Sequence, residues 1–173
     1  MFKENYIESV KKQLIQYKSL GEKAIEQIPD EKIFWQYNPE TNSIAIIVKH
    51  LAGNMLSRFT DFLTSDGEKK WRNRDDEFEN EVLTREKLLK LWDEGWKCVF
   101  NALNRLSNED LRKKVFIRNE EHTVVDAINR QLAHYASHIG QIIFIGKMVA
   151  GSDWQTLSIP KNTSRQFNVR MGL

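Results

Sequence analysis

The chain has 173 residues, of which 40% are hydrophobic and 29% are charged, and its 26 basic and 24 acidic residues leave a formal net charge of +2. This composition excludes a disordered or fibrous protein, and the length predicts a single domain over residues 1–173. No apolar run is long enough to span a membrane, and the one cysteine, Cys98, excludes an internal disulfide. We therefore expect a cytoplasmic protein.

The charge pattern argues against nucleic acid as a partner. The densest basic run, residues 68–74, is followed at once by three acidic residues. A nucleic-acid-binding protein concentrates lysine and arginine on one element instead. We interpret this run as part of a solvated loop.

Four segments have the apolar spacing of amphipathic helices, with hydrophobic residues recurring every three or four positions. Four such helices with almost no strand predict an all-α fold, a four-helix bundle. The segments are, in chain order, residues 2–28, 44–63, 85–106 and 123–150.

The ends of these helices have residues suited to capping them. Asn42 or Ser43 precedes the second helix, Thr84 the third and Thr123 the fourth, while Gly151 ends the fourth.

The remaining segments are irregular. Residues 65–83 form a long loop, and a long loop inside a domain is often functional. A short β-like run at residues 113–118, followed by a turn at 119–121, predicts a small hairpin before the last helix. Residues 152–173 are polar, and we expect an extended tail.

His134 and His138 lie four residues apart inside the fourth helix. Side chains at this spacing lie on the same helix face, so both imidazoles can bind one metal ion. Chance alone would give such a pair in roughly 7% of chains with four histidines, so the motif needs a third ligand to support it. Gln141 and Gln131, three residues after and before the pair, are candidates to orient the imidazoles.

His50 is the best candidate for the third ligand. It lies at the edge of the apolar stripe of the second helix, and metal sites in bundles form between facing helices. Three imidazoles with an open fourth position are typical of a catalytic metal site. We found no carboxylate that is equally well placed, and His122 is the reserve ligand.

Two motifs resemble the DinB-like superfamily of metal-binding four-helix bundles. Residues 42–54 (NSIAIIVKHLAGN) resemble its first metal-histidine segment, and residues 134–142 (HYASHIGQI) resemble its second, with the pattern H-x-x-x-H-x-G-Q. Residues 71–78 and 157–161 resemble one branch of that group, a domain of unknown function. In that branch the tail continues Gly-x-Ser, whereas here Asn162 replaces the glycine. The resemblance covers nearly the whole chain.

This resemblance implies a divalent metal ion, zinc or nickel above all, held by His50, His134 and His138, and a homodimer. The related bacillithiol S-transferases and the mycothiol-dependent maleylpyruvate isomerase use low-molecular-weight thiols. The implied activity is therefore metal-dependent transfer of a thiol to a small electrophile.

The residues leave two functional classes open. In the first, the protein is an enzyme whose metal ion activates a thiol or water, as a thiol transferase or a hydrolase-like enzyme. Asn54 and Arg58, which follow His50 at one and two turns, then contact the substrate. In the second, it is a non-catalytic or purely structural dimeric bundle, in which the histidines fix two helices together. Trp35 and Trp71 lie in connections and are candidates to line a cleft or a dimer interface, whereas Trp92, Trp96 and Cys98 are packing residues.

Overall fold

The computed structural model describes residues 4–79 and 84–172, with side chains from residue 6 onward. Within these ranges it contains five α-helices and one two-stranded antiparallel sheet. No helix in the described part of the chain is long and apolar enough to cross a membrane. The elements are α1 (Glu4–Ile25), α2 (Ile44–Phe59), α3 (Arg85–Asn104), β1 (Lys114–Ile117), β2 (Glu120–Thr123), α4 (Val124–Ala150) and α5 (Ser164–Arg170).

The four long predicted helices are confirmed with small changes at their ends. Ser43, Thr84 and Thr123 each accept a hydrogen bond from the backbone N–H three residues ahead, as expected of N-caps. Gly151 ends α4 with a φ of +56°. Helix α2 ends at Phe59 and not at 63, since Thr60 has extended backbone and Asp61 has a φ of +49°.

The tail and the hairpin turn differ from the predictions. The tail is not wholly extended, because it contains the seven-residue helix α5. The hairpin turn is Arg118-Asn119, one residue earlier than predicted, with φ values of +56° and +62°. These angles suit a two-residue hairpin turn. Residues 2–3 of the first predicted helix and 80–83 of the predicted loop lie outside the described residues.

Helix α2 is buried almost all round, because it packs against both α3 and α4. Gly95 allows α3 to approach closely: a Cβ there would lie 3.1 Å from the Cα of Ala52. Beside it, Trp96 and Tyr135 are fully buried and pack edge to face, with ring centroids 5.7 Å apart. The core therefore fixes α4 against α2, and both carry candidate ligands.

The segment after α2 folds back over this helix instead of extending into solvent. Gly67 donates a backbone hydrogen bond to Phe116 in β1, and the carboxylate of Asp66 accepts the N–H groups of Arg118 and Asn119 in the turn. The segment then forms a short 3-10 helix, Asp75–Phe78, against α2. The described part of the predicted loop, residues 65–79, is thus ordered by the hairpin near residue 66 and by α2 near residues 75–78.

Candidate metal centre

The structure brings together the three histidines that the sequence predicts as ligands. His50 projects from α2, and His134 and His138 project from consecutive turns of α4. Their ligand atoms all lie within 4.8 Å of one another. His50 is 6% exposed, and the other two imidazoles are half-buried.

The Nε2 atoms face a common centre. Nε2 of His134 lies 3.2 Å from Nε2 of His50 and 3.1 Å from Nε2 of His138. Two ligands on one tetrahedral zinc ion, each with a bond of about 2.0–2.1 Å, are about 3.4 Å apart. These two spacings are close to that of ligands on a single ion, and all three ligand atoms lie within 4.8 Å of one another.

The other ring nitrogens fix the tautomers. Nδ1 of His50 lies 3.0 Å from Oε2 of Glu77, and Nδ1 of His138 lies 2.9 Å from Oε1 of Gln141. Each of these oxygens is an acceptor, so both Nδ1 atoms carry the hydrogen and both neutral rings direct an Nε2 lone pair to the centre. At most one hydrogen, on His134, then lies among three nitrogens. This donor set is suited to a cation.

Glu77 is held by a second buried partner, Arg72. Nε of Arg72 donates to Oε1 of Glu77 at 2.7 Å, and Nη2 donates to Oε2 at 2.8 Å. The side chains are 2% and 9% exposed. This two-point pairing fixes the plane of the carboxylate, and with it the direction in which the carboxylate accepts from His50.

Gly53, one turn after His50, makes room for this carboxylate. A Cβ at Gly53 would lie 2.1 Å from Oε1 of Glu77 and 2.8 Å from its Cδ. These atoms cannot withdraw easily, because Arg72 and His50 hold the carboxylate from the other side. Any side chain at position 53 would therefore displace Glu77 from His50.

The electrostatics keep the imidazoles of His134 and His138 neutral and the carboxylate of Glu77 charged. Burial, with His138 and His50 adding to it, lowers the pKa of His134 to about 3, and burial also lowers the pKa of His138. Burial raises the pKa of Glu77, but the hydrogen bonds from His50 and Arg72 outweigh it and leave that pKa below its usual value. At neutral pH the site thus has free nitrogen lone pairs beside a carboxylate.

Asn54 and Arg58, the predicted substrate contacts, are each 6% exposed and bonded within the protein. Oδ1 of Asn54 accepts from the hydroxyl of Tyr135 at 3.2 Å. Arg58 donates to the backbone oxygen of Gly67 and, at 3.2 Å, to Glu68. These are contacts that hold the fold together, so a role in substrate binding stays a prediction.

Of the other residues considered from the sequence, one contacts the histidine cluster. His122 lies on β2 and is not part of the histidine cluster, so the reserve ligand is not needed. Gln141 orients His138 as expected. Among the described residues Gln131 does not bond to His134; its buried Oε1 lies at a small cavity that Arg58 also lines. Cys98 lies 3.6 Å from the hydroxyl of Thr60, in a different part of the molecule.

Glu77 and Arg72 were not identified from the sequence. The prediction that no carboxylate is as well placed as His50 to be the third ligand agrees with the cluster, which among the described residues contains histidines alone; Glu77 instead lies behind His50 and bonds to its other ring nitrogen. The available signal was the resemblance of residues 71–78 to one branch of the family, since both residues lie in that stretch. Glu77 lies 27 positions from His50, and this distance gives no periodic pattern to recognise.

A groove of about 710 Å³ lies between the segment before α2 and the second half of α4. Trp35 lines it, as predicted for a cleft, whereas Trp71 is 59% exposed elsewhere. We call it the α4 groove; its main apolar lining residues are Trp35, Tyr37, Ile47, Phe144, Ile145 and Met148.

The fold and the three-histidine cluster define a helical protein with a candidate metal centre. The chain belongs to the family described as Protein of unknown function (DUF1572), which it matches over residues 1–163. Neither the curated proteins nor the solved structures gave a match. The sequence-based assignment to an uncharacterised family is thereby confirmed.

The pairing of Arg72 with Glu77 predicts a large effect on stability. Arg72→Met leaves a buried carboxylate without its cation and is expected to lower the free energy of unfolding by about 3–5 kcal/mol. Urea denaturation of metal-free protein measures this loss. Lys70→Met, at an exposed position two residues away, is the control and should have little effect.

The double variant Arg72→Met/Glu77→Leu removes both charges and should recover a large part of that stability. Equal losses for Arg72→Met and Lys70→Met would contradict the pairing.

Proposed function

We propose that this protein is a divalent-metal-dependent enzyme that transfers a low-molecular-weight thiol to a small electrophile. The observation that supports it best is the cluster of three imidazoles in which Glu77 and Gln141 set the tautomers of His50 and His138, so that two Nε2 lone pairs face Nε2 of His134. Packing alone does not require two such lone pairs beside a third imidazole nitrogen. A metal site with three neutral imidazoles accounts for this arrangement.

Zinc and nickel are the ions that the ligands favour. Neutral imidazole suits both, and the described residues bring no thiolate ligand to the cluster. Three protein ligands leave a fourth position for a thiol, water or substrate, which is typical of catalytic zinc sites. A bound cation supplies acidity there, because it lowers the pKa of a coordinated thiol or water and gives a nucleophile at neutral pH.

The chain's own residues act through the ligands. Glu77 keeps the hydrogen of His50 on Nδ1 and makes that imidazole a stronger electron donor, as hydrogen-bonded carboxylates do in metal sites. Arg72 holds the carboxylate in place, and Gln141 performs the same orienting task for His138. These contacts keep the Nε2 atoms of His50 and His138 directed inward before any ion binds.

We further propose that the family is a branch of the DinB-like superfamily. The pattern of residues 134–141, the position of His50 on a second helix and the four long helices support this assignment. The homodimer that the resemblance implies, like the cytoplasmic location, stays a prediction.

A structural role for the metal is the second candidate. His50 comes from α2 and the other two ligands come from α4, so one ion would join two helices of the core. In that case chelation should cause a large loss in Tm, and no thiol transfer should be measured with any substrate.

The metal site predicts which histidines matter. Protein purified without a histidine tag and reconstituted with zinc or nickel should contain close to one ion per chain. Elemental mass spectrometry measures this metal content. His50→Ala and His138→Ala should each lose most of it, because two ligands hold an ion far less tightly than three.

His122→Ala is the matched control, since it removes the one histidine outside the cluster. It should retain its metal. Wild-type protein that takes up no ion on reconstitution would rule the site out.

The role of Glu77 predicts a graded effect. Glu77→Gln keeps the size of the side chain but removes its charge, and zinc affinity measured against a chelating competitor should fall about 10- to 100-fold. Glu79→Gln is the control, because Glu79 is exposed and its hydrogen bonds among the described residues, to Lys49 and Asp76, come from its backbone. An unchanged affinity in Glu77→Gln would mean that the carboxylate does not act on the metal.

Thiol transfer has its own test. Metal-loaded protein, incubated with a panel of low-molecular-weight thiols and 1-chloro-2,4-dinitrobenzene, should form the thioether as the new C–S bond displaces chloride. The rate in His122→Ala should equal that of the wild type. Turnover in His134→Ala as fast as in the wild type would show that the transfer proposal is wrong.

A further inference from the structure

The α4 groove begins one helical turn beyond the candidate metal centre. Gln141 lines the groove and at the same time holds His138 through its Oε1 atom. Along α4, positions 134, 138, 141, 145 and 148 recur every three or four residues and so lie on one helix face. The histidines and the floor of the groove therefore form one continuous surface.

The groove is apolar and exposed. Its walls include Tyr37 and Phe144, which are 71% and 65% exposed, and Met148, which is 46% exposed. A volume of about 710 Å³ is within the range of sites for small molecules. Gly140 adds to the space, because nothing lies within 4 Å of the position that its Cβ would take.

Its polar lining residues are Glu40, Thr41, Asn42, Ser137 and Gln141. Glu40 is the one charged residue among the described residues that line the groove. With no lysine or arginine on the wall, the groove does not suit an anion. The side-chain oxygen of Gln141 is the atom that bonds to His138, so its amide nitrogen remains for a ligand. This nitrogen has two N–H donors and, among the described residues, no acceptor.

We propose that the α4 groove is the binding site for the electrophilic substrate, an uncharged molecule with an aromatic or alkyl body and one hydrogen-bond acceptor, such as a carbonyl oxygen. The body lies against Trp35, Tyr37 and Phe144, and the acceptor receives a hydrogen bond from Gln141. That this molecule is a substrate rests on the proposed enzyme function. That the groove binds such a molecule does not depend on that function.

The geometry favours a small molecule over a second copy of this chain. The surface is concave, with Trp35 and Tyr37 on one side and α4 on the other, whereas a helix face that meets its own copy is convex and needs a far larger apolar area. At the end of the groove near the candidate metal centre, the amide N–H of Gln141 can also donate a hydrogen bond to an acceptor at one end of the ligand.

A neutral naphthalene ketone, 6-propionyl-2-dimethylaminonaphthalene, is a suitable probe because its fluorescence changes on leaving water. Titration of the full chain, with and without zinc, should show saturable binding. Gly140→Leu fills the groove with a side chain that favours helix, and Phe144→Ala removes part of the wall. Each should weaken binding at least 10-fold, and Gly140→Leu should leave the metal content unchanged.

Gln13→Leu is the matched control, since it adds the same side chain to an exposed position of α1. It should bind the probe as the wild type does. The acceptor is tested with 2-dimethylaminonaphthalene, which lacks the ketone and should bind at least fivefold more weakly. Equal binding of the two probes would overturn the hydrogen bond from Gln141.

Probe binding that is unchanged in Gly140→Leu would overturn the site. So would a wild-type dimer, measured by light scattering, that Gly140→Leu converts to a monomer, because the groove would then be an interface between copies. Binding retained in metal-free His134→Ala supports the groove even if the metal proposal fails, so that the two failures are distinguishable.

Discussion

The candidate site depends on one hydrogen bond, from Nδ1 of His50 to the carboxylate of Glu77. It decides which nitrogen of His50 carries hydrogen and therefore which one is free for a ligand. A charged carboxylate is stable in this buried position only because Arg72 pairs with it at two points. The missing side chain of Gly53 gives it the space. Four residues from α2 and from the segment after it thus act as a unit.

The same unit extends outward through charged residues. Glu68, the second carboxylate near Arg72, also bonds to Arg58 and Arg118. Arg118 lies in the hairpin turn, and the hairpin leads directly into α4. Acidic and basic groups therefore alternate from His50 to the turn of the hairpin that precedes the helix with the other two ligands. Removal of Arg72 or Glu77 leaves its partner buried with an uncompensated charge, so this pair is the part of the network that is most sensitive to single substitutions.

The sequence predicts the helices well because their signals are local. Apolar spacing marks α1 to α4, and Ser43, Thr84 and Thr123 mark where three of them begin. His134 and His138 were found for the same reason, since four residues of one helix fix their relation. His50 required only that two apolar helix faces meet.

The remaining parts depend on contacts between distant residues. Glu77 approaches α2 only because the segment after α2 is anchored by Asp66 at the hairpin turn, and no spacing in the sequence shows this. Asn54 and Arg58 have the spacing of residues beside a ligand, but their burial is decided by Tyr135 and by the backbone of Gly67. The helix α5 is too short for periodicity to predict.

The two halves of the ligand set therefore differ in how they are formed. Once α4 exists, His134 and His138 lie side by side, whatever the rest of the chain does. The orientation of His50, by contrast, requires the whole segment from 60 to 79 to fold back on α2. If that segment detaches from α2, His134 and His138 can still bind an ion together. His50, however, has then lost the hydrogen bond to Glu77 that fixes the orientation of its imidazole. The affinity of the site for a metal ion therefore depends on local opening of the segment from 60 to 79, which leaves the helices intact.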